Sequence, residues 1–107
     1  MSRRSVLITG GSRGIGAAIA REFAQAGDQI AIHYVSSQSV ADEVCKSLTG
    51  EGHITAQADL RDADAIASMV SHVAKVFGKI DRKTSALETK LTGKTEKYLA
   101  RLKSLPY

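Results

Sequence analysis

Glycines are concentrated where the chain could hold an anion. Thr9-Gly10-Gly11-Ser12-Arg13-Gly14-Ile15-Gly16 has the form T-G-x-x-x-G-x-G. A Cβ at such positions would block a tight turn and keep the backbone away from phosphate oxygens. The run before it, Ser5–Thr9, is short, apolar and β-branched, and reads as a strand buried on both faces. After it, Ile15, Ile19 and Phe23 recur as one helical stripe over about Ile15–Ala26. Strand, glycine turn and helix start together make a site for a pyrophosphate. The free N–H groups and the positive dipole end of that helix would face the anion.

Two further chain positions bear on such a site. The second strand, Gln29–Val35, ends in His33-Tyr34-Val35-Ser36-Ser37, with no carboxylate before Asp42. An acid here would bind a ribose 2′-OH and repel a 2′-phosphate. Hydroxyls and Arg13 instead favour the phosphorylated cofactor, NADP(H), although Ser36 and Ser37 also suit a simple turn. Asp59, at the end of a third strand His53–Ala58, reads equally as a turn aspartate or as an acceptor for an adenine amino group.

The elements that must carry these positions alternate regularly. Helix 2 spans about Val40–Leu48, with Ser39 and Asp42 as a possible N-terminal cap. Helix 3 runs about Ala63–Phe77, capped by Asp62, with Ile66, Met69, Val70, Val73 and Phe77 as its buried stripe. Gly27 and Gly78 stand where left-handed residues end helices. Three βα units predict an α/β fold: a three-stranded parallel sheet of order 3-2-1 with helices packed on its faces.

The totals are those of one small domain. The chain has 107 residues, 43% hydrophobic and 24% charged, with no Trp. Its single cysteine, Cys45, excludes an internal disulfide and a multi-cysteine metal site, and fits a cytoplasmic setting. It reads as a packing residue. His33, His53 and His72 lack metal-ligand spacing and read as ordinary strand or helix residues, so no metal ligand is assigned. No apolar run is long enough for a membrane span or a signal h-region. Thr92-Gly93-Lys94-Thr95 is no P-loop, because Glu88 stands where the first glycine is needed.

The net charge of +4 is unevenly spread. Residues 1–81 hold eight Lys/Arg against nine Asp/Glu, net −1, and residues 82–107 hold seven against two, net +5. The high pI therefore belongs to the tail, and nucleic-acid binding by the domain is not expected.

The segments Leu7–Gly16, Ile30–Tyr34 with Ser36-Ser37, Ala58-Asp59-Leu60-Arg61-Asp62 and Phe77-Gly78-Lys79-Ile80-Asp81 together resemble the short-chain dehydrogenase/reductases, nearest the NADPH-dependent 3-oxoacyl-(acyl carrier protein) reductase branch. The likeness spans residues 4–81. It implies a partial Rossmann fold over 1–81 with a nicotinamide dinucleotide as ligand. Gly10, Gly14 and Gly16 would shape the pyrophosphate turn, and Ser12, Arg13 and Ile15 would contact the phosphates. Tyr34, Ser36 and Ser37 would surround the ribose and its 2′-phosphate, and Asp59 and Leu60 would hold the adenine. The family reaction reduces a carbonyl with a hydride from the nicotinamide.

The resemblance stops after Asp81. Where the family continues with an apolar fourth strand ending in Asn-Asn-Ala-Gly, this chain has Arg82-Lys83-Thr84-Ser85. No Tyr-x-x-x-Lys pair follows, since Tyr98 is followed four residues on by Leu102, so no catalytic residue is assigned. Residues 82–107 read as a basic, helical tail, with Leu87 and Leu91 as one apolar pair and Tyr98, Leu102 and Leu105 as a further row. Without a fourth strand, one edge of the first would stand open. A tail helix, a second copy of the chain or a second polypeptide would have to cover it. The competing reading is a non-catalytic binding module whose basic tail docks an acidic partner, against a tail that is a solvated extension.

Overall fold

The structure, a computed structural model, describes residues 4–10 and 14–85; for Ile15 and residues 82–85 the backbone alone is described. The elements are β1 (Ser5–Thr9), α1 (Gly14–Gln25), β2 (Gln29–Tyr34), α2 (Gln38–Ser47), β3 (Ile54–Gln57), α3 (Ala63–Phe77) and β4 (Arg82–Ser85). The expected α/β architecture and the 3-2-1 order hold, and β4 extends the sheet to β3-β2-β1-β4, all parallel. Residues 86–107, where the tail helices were expected, lie outside the described residues.

β1 is buried along its whole length because helices cover both faces of the sheet. Its alternation divides the core. Val6 and Ile8 meet Ile30, Ile32 and the alanine side of α1, with Ala41 and Val44 of α2. Leu7 meets Ala31, Ala56 and the α3 stripe Ile66, Met69, Val70 and Val73. Ala17, Ala20 and Ala24 let α1 lie close to the sheet, which is why a core with no Trp still fills.

The fourth strand corrects the sequence expectation. Arg82-Lys83-Thr84-Ser85 pairs in parallel with Val6–Thr9, in the register Val6↔Arg82 to Thr9↔Ser85. Asp81 sets that register. Its N–H donates to the Ser5 carbonyl at 2.8 Å, and its carboxylate accepts the Ser5 N–H at 2.7 Å. Pairing of this kind uses backbone groups, and a strand at the sheet's edge tolerates Lys and Arg. The edge of β1 expected to stand open is thus occupied by β4, which is the terminal strand among the described residues.

Helix starts differ in one respect. Asp62 caps α3 as expected, its Oδ1 accepting the N–H groups of Asp64 at 2.9 Å and Ala65 at 3.2 Å. The Ser39 cap does not form. α2 begins earlier, with Ser37 at the N-cap position making no side-chain capping bond, so Ser39 lies inside the helix. Gly27 and Gly78 take positive φ, 99° and 82°, just after α1 and α3.

Candidate functional site

Parallel pairing gathers the carboxyl ends of all four strands on one edge: Thr9, Tyr34, Gln57 and Ser85. Two of the sequence-derived positions are held there by backbone geometry. Gly10 leaves β1 with φ 67°, and Gly14 opens α1 with φ 53°. Both are conformations that L side chains avoid, and a Cβ built on either would meet no atom of the described residues within 4 Å. Gly10 and Gly14 therefore flank the turn with backbone that no described side chain packs against at the Cβ position. Gly16 is buried in the first turn of α1. No acidic residue lies in that turn, so nothing there opposes an anion at the helix start. Gly11, Ser12 and Arg13, and the side chain of Ile15, fall outside the described residues.

At the end of β2, Tyr34 is partly buried and packs against the core beneath α1 and α2. Ser36 is exposed and Ser37 partly buried as the chain turns into α2. Asp42, the first carboxylate after β2, is one helical turn further on and lies 3.4 Å from the Thr55 hydroxyl, which donates to it.

The end of β3 carries Asp59 and Leu60, both partly buried. Asp59 is engaged by a residue not singled out from the sequence, Arg61. Its Oδ1 accepts the Arg61 N–H at 3.0 Å and Nε at 3.1 Å, and its Oδ2 accepts Nη2 at 2.9 Å. These side-chain and backbone hydrogen bonds bring the carboxyl pKa from 3.8 down to about 2. A carboxylate offers about four lone-pair positions, so three donors from Arg61 leave the geometry of a further acceptance in place. The i, i+2 spacing of an acid and an arginine just beyond a strand was the sequence signal for this pair.

His33, read from the sequence as an ordinary strand residue, does more than fill space. It is 1% exposed. Its Nδ1 accepts the Gly10 N–H at 2.9 Å, and its Nε2 lies 2.8 Å from the Ala58 carbonyl. Burial lowers its pKa, partly opposed by the bond to Ala58. His53 plays a similar part away from the edge, accepting the Ile30 N–H at 3.0 Å and reaching the Thr49 carbonyl at 2.8 Å. His72 is exposed on α3. Among the described residues no cluster of His, Cys, Asp and Glu could hold a metal ion. Cys45 is half-buried, and burial with the nearby Asp42 pushes its thiol up, which disfavours the reactive thiolate.

A parallel sheet of this order, with a glycine turn between its central strand and the following helix, defines the dinucleotide-binding class of α/β proteins. The chain belongs to the short chain dehydrogenase family, whose model matches residues 4–82. It is similar to a 3-oxoacyl-[acyl-carrier-protein] reductase, FabG, from Staphylococcus aureus, 36% identical over 80 residues that are 73% of this chain and 32% of that protein. It is similar to the hydroxynaphthalene reductase arp2 from Aspergillus fumigatus, 40% identical over 83 residues, 76% of this chain and 30% of that protein. Among solved structures, a dehydrogenase/reductase from Sinorhizobium meliloti superposes with a TM-score of 0.74 at 28% identity, over 95% of this chain and 44% of that one. A short-chain dehydrogenase/reductase from Serratia marcescens gives 0.71 at 33% identity, over 77% and 34%. The chain spans about a third of the length of the curated relatives it matches.

Proposed function

We propose that this chain is the NADP(H)-binding N-terminal portion of a short chain dehydrogenase and does not catalyse hydride transfer by itself. The observation that carries the reading is the carboxyl edge of the sheet. Gly10 and Gly14 at positive φ and a helix start without acids meet a β2 end without a carboxylate, beside Asp59 and Leu60. These residues fit a dinucleotide. Gly10, Gly14 and Gly16, with Ser12, Arg13 and Ile15, hold the pyrophosphate. Tyr34, Ser36 and Ser37 receive the adenosine ribose and its 2′-phosphate. Asp59 accepts the adenine amino group while Arg61 holds it ionised, and Leu60 packs on the ring. When bound, the nicotinamide supplies a hydride.

Reduction of a carbonyl, such as a 3-oxoacyl thioester, needs in addition a group that polarises the carbonyl and delivers a proton. The serine and Tyr-x-x-x-Lys pair that the family resemblance implies have no counterpart in this sequence. The substrate half of the reaction therefore rests on residues other than these 107. A cytoplasmic setting belongs to the same reading, and no helix among the described residues is long and apolar enough to cross a membrane.

The test is cofactor binding followed by thermal unfolding and calorimetry on the full chain. NADP+ and NADPH raise the melting temperature more than NAD+ and NADH. At 100-fold excess over the dissociation constant a site contributes about 2.7 kcal/mol. No shift with either cofactor pair overturns the reading. NADPH-dependent reduction of a 3-oxoacyl thioester by the pure chain overturns the statement that it lacks catalysis.

A further inference from the structure

We propose that His33 is the positioning residue of the dinucleotide site. Its neutral imidazole clamps the pyrophosphate turn at Gly10 to the adenine end of β3 at Ala58, so that the two halves of the site keep a fixed separation. The inference rests on the reading of this edge as a nucleotide site.

The argument begins with register. β1 and β2 pair as far as Ile8↔Ile32, and β2 and β3 as far as Tyr34↔Gln57. Gly10 and Ala58 both lie just past their ladders, where the chain turns away from the sheet. The Ala58 N–H is still held, donating to the Tyr34 carbonyl at 3.2 Å. The Gly10 N–H and the Ala58 carbonyl are both met by one side chain, His33, over sequence separations of 23 and 25 residues.

The partners fix the tautomer. An amide N–H can only donate, so Nδ1 must offer its lone pair to Gly10. The proton then sits on Nε2 and donates to the Ala58 carbonyl. A ring protonated on both nitrogens would present a hydrogen to the Gly10 N–H, so the clamp requires the neutral form. The position is 1% exposed, and the aliphatic side chains of Ile32 and, on β1, Ile8 and Leu7 are also fully buried. An apolar residue there would leave two backbone groups without the ring, at a cost that falls on the turn. Ala58 directly precedes Asp59, so displacing it displaces the adenine acceptor as well.

The test uses the full chain, with His33→Phe removing both nitrogens at similar ring shape and His33→Asn keeping an acceptor within reach of Gly10. NADPH affinity and hydrogen exchange at the Gly10 amide are measured where circular dichroism shows the variants folded. The Phe variant binds NADPH on the order of 10-fold more weakly and exchanges the Gly10 amide faster, and the Asn variant recovers part of both. Wild-type affinity and exchange in the Phe variant overturn the proposal, as does equal loss in both variants that only follows the folded fraction. If the wild-type chain binds no nicotinamide dinucleotide, the nucleotide reading fails separately. The clamp is then judged by exchange alone, which must be faster in the Phe variant. If the Phe variant does not fold, nitrogen NMR of the wild-type ring decides: a proton on Nε2 supports the clamp, and a proton on Nδ1 overturns it.

Discussion

Two side chains at the carboxyl edge, Asp59 and His33, make its chemistry depend on pH. Asp59 has a folded pKa of about 2 against an ordinary 3.8, held down first by the Arg61 side chain and then by the Arg61 backbone N–H. A depressed carboxyl pKa gives stability that is present above the ordinary value and lost as pH falls from about 4 through about 2. Arg61→Ala returns the Asp59 titration, followed by carboxyl carbon NMR, toward 3.8. For His33 the folded pKa lies below the ordinary 6.5, chiefly through burial. The unfolded chain therefore takes up the proton first, and stability is lost as pH falls below about 6.5. Urea midpoints at pH 7.5 and 5.5 should differ more for the wild type than for His33→Asn. At the end of β2, Ser37→Asp places a carboxylate where the 2′-phosphate would lie. Its expected effect is to weaken NADPH relative to NADH on the order of 10-fold, read by competitive titration.

At the scale of elements, Asp81 ties the entry of β4 to the start of β1. The Asp81 carboxylate holds the Ser5 N–H, and Lys79 lies 3.2 Å from it as an ion pair. Asp81→Ala leaves the start of β1 without that acceptor. Its expected signature is faster hydrogen exchange at the β1–β4 ladder, with the β1–β2 ladder less affected. α3 has the better-defined start of the two later helices, since Asp62 takes two orphan amides and no side-chain cap forms on α2. Asp62→Ala costs about 1 kcal/mol in a denaturant titration. The strands and helices themselves were legible because burial imposes periods of two and 3.6. Ser5–Thr9 and Ala63–Phe77 match the sequence reading end to end. β4 was not legible, because its pairing uses backbone groups and its composition carries no burial signal.

For the whole molecule, the sheet separates two apolar layers, one beneath α1 and α2 and one beneath α3. Leu7 is fully buried in the second. Leu7→Ala leaves a cavity beneath α3 and costs 2–5 kcal/mol, on the order of what a small domain can lose before unfolding. The site lies outside both layers, on the edge where their strands end. That arrangement lets the core fix the positions of the turns without filling them.

The sequence by itself determined the strand order, the helix stripes and the glycine turn, because each follows from local spacing and from the handedness of βα crossovers. It also named Gly10, Gly14, Gly16, Tyr34, Ser36, Ser37, Asp59 and Leu60 as positions along one edge. Only the tertiary structure decided which groups answer one another there. That Arg61 holds Asp59, that Asp81 recruits β4 to β1 and that His33 spans from Gly10 to Ala58 are contacts set by folding. In His33 and Asp81 the partners lie 23 to 76 residues apart, and the polar side chain gives no periodic signal of whom it will meet. Periodicity records which face is buried; it does not record where a buried polar group finds its hydrogen bond.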